Sequence, residues 1–333
     1  MTLVNDAETQ KAACTSLDGL LEILQDVIDQ YLQLIMERLA GLLDTASLSV
    51  KAVVTGAIGS AALASKTKFL PYFEPTMQRL QHFLVLTGDG EEQELRGITM
   101  DAVGTFAEAV GVDVFRPYFV DMMKQAFQGM TMGSARLREC SFLFFGVMAR
   151  VFGDEFAQYL PAVVPALLAS CRQDEQGEEN ALRKCSFPSR GDFFFDFVLF
   201  LLVNAPEIAQ AFATGSSPSN AISIADEKDI NGNTIVSIDG GDDDIEKMIE
   251  INSAIAVEKE IAADTIGTIF ASTRQHFLPY VEQATLELIP LLQHYYEGIR
   301  KSAVDSLLEI VRVFYELSDH EQWRPGKNVV SEI

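Results

Sequence analysis

Apolar and polar positions along this chain recur with the period of an α-helix. Around Arg96, the residues Leu95, Thr99, Val103, Phe106 and Val110 fall on one side of a projection at about 100° per residue, Thr99 being the least apolar. Glu94, Asp101 and Glu108, seven apart, fall on the other. The pattern predicts an amphipathic helix that starts near the basic residue and stops at Gly111, a residue suited to a left-handed C-cap; Gly153 is expected to cap the corresponding helix of the next unit.

The same pattern returns. Aligned on a basic residue, it begins at Lys51, Arg96, Arg138, Lys259 and Arg300. Five positions on stand Gly56, Asp101, Leu143, Asp264 and Asp305; eight positions on stand Gly59, Gly104, Gly146, Gly267 and Leu308. A second phrase precedes the last four of these helices: FLPYFEPTM from Phe69, FRPYFVDMM from Phe115, FAQYLPAVV from Phe156 and FLPYVEQAT from Phe277. Its prolines, Pro71, Pro117, Pro161 and Pro279, lie 46, 44 and 118 residues apart, and the basic residues 45, 42, 121 and 41 apart. Both markers give one period and one interruption.

Each unit fits two helices. The first is expected to start near the Pro-Tyr phrase, because proline is tolerated in a first helical turn. A two-helix unit of about 40–47 residues is the size of a HEAT or armadillo repeat, and such units bury their apolar stripes only by stacking. The expected fold is all-α: an α-solenoid of HEAT-like two-helix repeats in a right-handed superhelical stack. The repeated glycines predict close approach between helices, where a Cβ would clash. The basic column is expected to pair with carboxylates of neighbouring repeats.

The organisation expected is a frayed N-terminus over 1–16, repeats over 17–172, an insertion over 173–244, repeats over 245–318 and a tail over 319–333. The insertion falls between the two helices of one unit. It contains an acidic stretch at 174–179, a Gly/Ser-rich stretch at 214–220 and a second acidic stretch at 239–246, which read as flexible. Its apolar portion, roughly 187–213, admits three readings: a small docked helix, a partner-binding patch, or residues foreign to the working coding sequence. The run Phe193–Val203 is about half the length of a membrane span and includes Asp196, so membrane insertion is not expected.

The chain of 333 residues is 48% apolar and carries a formal charge of −23. So acidic a surface repels nucleic acid and anionic membrane and attracts basic partners. Cysteines at 14, 140, 171 and 185 form no CxxC pair and read as reduced core thiols. His82, His276, His294 and His320 are scattered, and no phosphate loop, nucleophile elbow or metal-ligand spacing is present. No enzyme activity, cofactor or metal is expected.

The repeated Pro-Tyr phrase, Thr55-Gly-Ala-Ile-Gly-Ser-Ala-Ala62, Gly104-Thr-Phe-Ala-Glu-Ala-Val-Gly111 and Glu258-Lys-Glu-Ile-Ala-Ala-Asp-Thr-Ile-Gly267 together resemble the importin-β (karyopherin-β) family, most nearly its importin-four type. The resemblance covers about 17–172 and 245–325. It implies an array of HEAT repeats that shuttles between cytoplasm and nucleus, carries basic cargo such as histones or ribosomal proteins on its concave face, meets nucleoporin repeats and responds to the GTPase Ran. It also implies an acidic loop within one repeat and a much longer whole, of which this chain would be an internal stretch lacking the repeats that mainly contact Ran.

In solenoids of this class the second helices line the concave side, so their acids are the candidate cargo contacts: Glu94, Asp101, Glu108, Glu139, Glu260, Asp264, Asp305 and Glu309. Many weak pairs with lysines and arginines of an extended cargo segment would add affinity and on-rate. The alternative is a general HEAT-repeat scaffold subunit of a multiprotein assembly.

Overall fold

The computed structural model describes residues 6–23, 28–173 and 242–318, with 22 and 242–253 described by backbone alone. Among them there is no strand. The helices are α1 (Ala7–Ile23), α2 (Leu32–Thr45), α3 (Leu48–Ser65), α4 (Leu70–Leu80), α5 (Glu91–Val110), α6 (Val112–Thr131), α7 (Ala135–Phe152), α8 (Leu160–Cys171), α9 (Asp242–Thr273), α10 (Val281–Leu291) and α11 (Glu297–Leu317). They form two layers. In one, α1, α3, α5, α7, α9 and α11 each pack along the next; in the other, α2, α4, α6, α8 and α10 lie against the first layer and touch one another little. This is a solenoid of two-helix units.

The phenylalanine of the repeated phrase explains why the phrase recurs. Phe69, Phe115, Phe156 and Phe277 have no exposed surface. Phe69 stacks on Phe106 of α5 with centroids 4.9 Å apart, and Phe277 on Phe270 of α9 at 5.2 Å. Each fully buried ring contributes on the order of 2–3 kcal/mol of transfer free energy, and each closes the corner between one unit and the next.

That corner has a fixed backbone form. The residue after α3, α5, α7 and α9 has positive φ: Lys66 at 51°, Gly111 at 82°, Gly153 at 51° and Arg274 at 47°. Glycine thus follows α5 and α7 as expected, and lysine and arginine take positive φ at the corresponding positions after α3 and α9. Short 3-10 turns then lead to the first helices at Lys66–Phe69, Gly153–Tyr159 and Arg274–Tyr280. Pro71 and Pro161 sit at helix starts as expected. Pro117 does not: α6 starts immediately after Gly111, so its proline is interior. Pro279 lies in the 3-10 turn before α10.

The glycine column faces the following second helix throughout, but the expected clash is confined to one seam. A Cβ on Gly59, Gly104 or Gly146 would meet Ala102, Phe144 or Thr265 at 3.5–3.6 Å, which is ordinary contact. A Cβ on Gly267 would lie 2.4 Å from Ser306 Oγ and 2.8 Å from its Cα, so α9 and α11 require glycine there. The stretch Leu48–Val85, which includes α3, is long and apolar enough to cross a membrane by length and composition, yet it is mostly buried. Neighbours α1, α2 and α5 cover α3 on several sides, which accounts for its lack of a polar face.

Packing continues from α8 to α9, and α9 also lies along α7. The stretches at 174–179, 187–213 and 214–220, the run Phe193–Val203, Cys185, His320, the segment 1–5, residues 239–241 and the tail beyond Ser318 lie outside the described residues. Two expectations are corrected: residues 7–16 belong to α1, held by the buried Cys14 rather than frayed, and 242–246 form the first turn of α9 rather than a flexible stretch. Cys14, Cys140 and Cys171 are buried free thiols.

Candidate functional site

The second helices carry their acids on the face left over after the apolar stripe is buried. On α5, Leu95, Thr99, Val103 and Phe106 are fully buried and Val110 nearly so. Glu94 and Glu108 are exposed, and Asp101 is half-buried.

All three α5 acids meet arginines from α7. Arg136 Nη2 is 3.4 Å from Asp101 Oδ2, and Arg136 Nε is 3.7 Å from Glu94. Arg136 also lies 3.6 Å from Glu139, which is buried and therefore presents no free carboxylate. Arg150 donates to Glu108 Oε1 from Nε and Nη2, at 2.9 and 2.8 Å. Asp101 Oδ2 also accepts from the Cys140 thiol at 3.4 Å, while Oδ1 is buried without a partner. Burial pushes the Asp101 carboxyl up to about 6, opposed by Arg136 and Cys140 and assisted by Glu94.

Further along the layer the surroundings change. Asp264 on α9 and Asp305 on α11 line one cleft of about 360 Å3 together with Arg150, Thr268, Ser272 and Glu309. Both aspartates are exposed, and among the described residues neither makes a hydrogen bond or ion pair. Burial and the Asp305 charge raise the Asp264 carboxyl above its usual range, against Arg150 and Lys301. Glu309 is held by Arg312 through Nε at 2.9 Å and through Nη2. Glu260 lies over the first turn of α11, where a Cβ on Gly298 would strike its carboxylate. Thus Glu108, Arg150, Asp264 and Asp305 form a line across α5, α7, α9 and α11.

The basic column does something the sequence reading missed. Arg138 does meet a carboxylate across repeats, donating to Glu258 at 3.0 Å. Arg96 instead donates to the Leu86 carbonyl at 2.8 Å, and Arg300 to the His294 and Tyr295 carbonyls at 2.7 Å. These carbonyls belong to the loop between the two helices of the same unit, where acceptors left by a finished helix need donors. Lys51 lies 5.8 Å over the Phe83 ring. The signal for this role was the position of each arginine at the start of a second helix.

No group of three or more His, Cys, Asp or Glu side chains placed to hold a metal ion occurs among the described residues. The described residues thus form a layered array of helix pairs with a charged cleft bordered by Arg150, Asp264 and Asp305. The family described as "Importin subunit beta-1-like, TPR repeats" matches residues 3–183, more than half of the chain. The chain belongs to the importin-β family. It is 38% identical over 321 residues to the Schizosaccharomyces pombe protein named "Probable importin subunit beta-4", covering 95% of this chain and 26% of that one. It is 26% identical over 259 residues to Importin-4 of Homo sapiens, covering 77% and 21%. The crystal structure of Kap121p bound to Pho4p superposes with a TM-score of 0.62 at 18% identity, over 93% of this chain and 26% of that one. The chain spans about a quarter of the length of these relatives. They are importins and karyopherins, transport receptors rather than enzymes.

Proposed function

We propose that this chain is a segment of a nuclear transport receptor that holds a Lys/Arg-rich stretch of cargo, histone-like or ribosomal, against the layer of second helices. That layer is the more closely packed of the two, as expected of the inside of a curved stack. The observation that carries the reading is the pair of unengaged aspartates, Asp264 and Asp305, in one open cleft. Glu260 extends the same surface. Glu94, Asp101, Glu108 and Glu309, held by arginines, contribute field more than direct contact, and Glu139 is withdrawn from it. The relatives support the reading: Kap121p is described in complex with Pho4p and with Nup53p, a nucleoporin. A cargo and a nucleoporin are accordingly the partners proposed here, with shuttling between cytoplasm and nucleus and without membrane insertion or direct nucleic-acid contact. Ran contact is not included in the proposal for this chain.

The test is titration of the purified chain with a lysine-rich histone-tail peptide. Affinity falls between about 50 and 200 mM salt as screening grows, and Asp264→Lys with Asp305→Lys weakens binding by about tenfold or more, consistent with several summed weak pairs. Unchanged affinity in the double variant removes the cleft from the cargo path. Pull-down of a stable enzyme assembly without basic proteins or nucleoporin repeats would favour the scaffold alternative.

A further inference from the structure

Two register columns distinguish one unit from the others. The residue before the basic position is Val50, Leu95, Leu137 or Ile299 in four units, all buried. In the α8/α9 unit it is Glu258, with only 2% of its surface exposed. The residue nine after the phrase proline is Leu80, Ala126 or Leu288 in three units, again buried. In the α8/α9 unit it is Ser170. The two exceptions meet: Ser170 Oγ donates to Glu258 Oε1 at 2.6 Å. The other oxygen, Oε2, accepts from Arg138 Nε and Nη2 on α7 at 3.0 and 2.9 Å. Arg138 thereby departs from Arg96 and Arg300, which cap loops within their own units.

This is also the unit whose helices are not joined by a short loop. The connections Leu80 to Glu91, Thr131 to Ala135 and Leu291 to Glu297 are brief, whereas α8 ends at Cys171 and α9 begins at Asp242. A short connection restricts how far two helices can slide along each other. A long one does not, and an apolar seam tolerates slippage by a turn because dispersion and burial are not directional. A buried carboxylate with directed donors on two other helices does not tolerate it, since a slip strands the charge.

We propose that Arg138, Ser170 and Glu258 form a register latch that fixes α9 against α7 and α8, the one helix pair of these units not joined by a brief connection. The latch gives a unique alignment rather than extra stability, because well-packed apolar replacements of a buried ion pair are often neutral or stabilising.

The test uses the full chain with spin labels at Ala162 on α8 and Thr268 on α9. The wild type gives one distance. The triple variant Arg138→Met, Ser170→Ala, Glu258→Leu, which gives positions 170 and 258 the apolar residues of the other units and removes the arginine left without a carboxylate, keeps its melting temperature but gains a second distance population from slips of about 5.4 Å, one helical turn. Replacing residues 174–241 with a linker of about six residues, a usual helix–helix connection, returns the triple variant to one population. A single population in the triple variant with the long connection overturns the proposal, as does failure of the short linker to restore it. Should the triple variant not fold, Glu258→Gln serves. Its hydrogen exchange rises about tenfold or more in α8 and α9, the scale of one charge-assisted hydrogen bond, and stays unchanged in α10 and α11. A uniform rise, or none, overturns the proposal.

Discussion

Asp101 on α5 and Asp264 and Asp305 on α9 and α11 occupy the same column of the repeat, yet their surroundings differ. Asp101 is drawn into the α5–α7 seam by Arg136 and Cys140. Asp264 and Asp305 stand in an open cleft. The cause lies one helix away: Arg136 of α7 comes within 3.4 Å of Asp101, whereas Arg150 and Lys301 act on Asp264 without forming an ion pair with it among the described residues. A repeated carboxylate thus stands open in one half of the array and joins two neighbouring second helices in the other, according to what its neighbour presents.

The seams differ in the same direction, and the largest expected effect breaks that contrast. Gly267→Ala pushes a methyl into the Ser306 backbone and should destabilise the chain by about 2–3 kcal/mol, the cost of overpacking. Gly104→Ala, with ordinary contact distances, should be neutral or stabilising by up to about 1 kcal/mol from helix propensity. Urea denaturation of both measures the difference; equal effects would mean the two seams are alike.

A smaller effect isolates Asp101. Its folded-state carboxyl titrates near 6, above its unfolded value near 3.9. The protonated form is therefore favoured by folding: the stabilisation is complete below about pH 4 and is lost as pH rises through 6. Asp101→Asn should raise stability at pH 7–8 by about 1 kcal/mol, and the gain should vanish below about pH 4. Thermal melts across that window check the sign. The corresponding change at Asp305 should leave stability within about 0.5 kcal/mol.

Arg150 links the two halves, since it binds Glu108 and borders the cleft. Arg150→Gln removes a cation from the path of a basic peptide and should strengthen binding about threefold, while costing under about 1 kcal/mol of stability. Calorimetric titration reads the first and denaturation the second. Smallest is Lys66→Gly, which relaxes a left-handed residue and should change stability by a few tenths to about 1 kcal/mol, the scale of such backbone effects; Gly111, already relaxed, offers no such gain.

Much of the fold was legible in the sequence because stacking imposes periods. The buried phenylalanines, the glycine caps at Gly111 and Gly153 and the apolar stripe of α5 all follow from positions that recur with the unit. Pro117 escaped that reading because α6 begins directly at its glycine cap, without the 3-10 turn used elsewhere. The glycine column was over-read: recurrence marks a face, and helix separation decides whether a methyl fits. The candidate site was only half legible. The acids are visible as a column, but Arg136 and Arg150 are remote from Glu94, Asp101 and Glu108 in sequence, and only the stack brings them together.

What the chain alone determined is its repeat: the period, the two helices of each unit, the face each buries and the excess of negative charge. These are local or periodic properties, set by side-chain spacing on a 3.6-residue helix. Which carboxylates join neighbouring second helices, which remain open, and how Glu258 is satisfied in a buried seam were decided by tertiary structure. Electrostatic pairing and desolvation act over a few ångströms in space, a distance that the linear order of residues does not record.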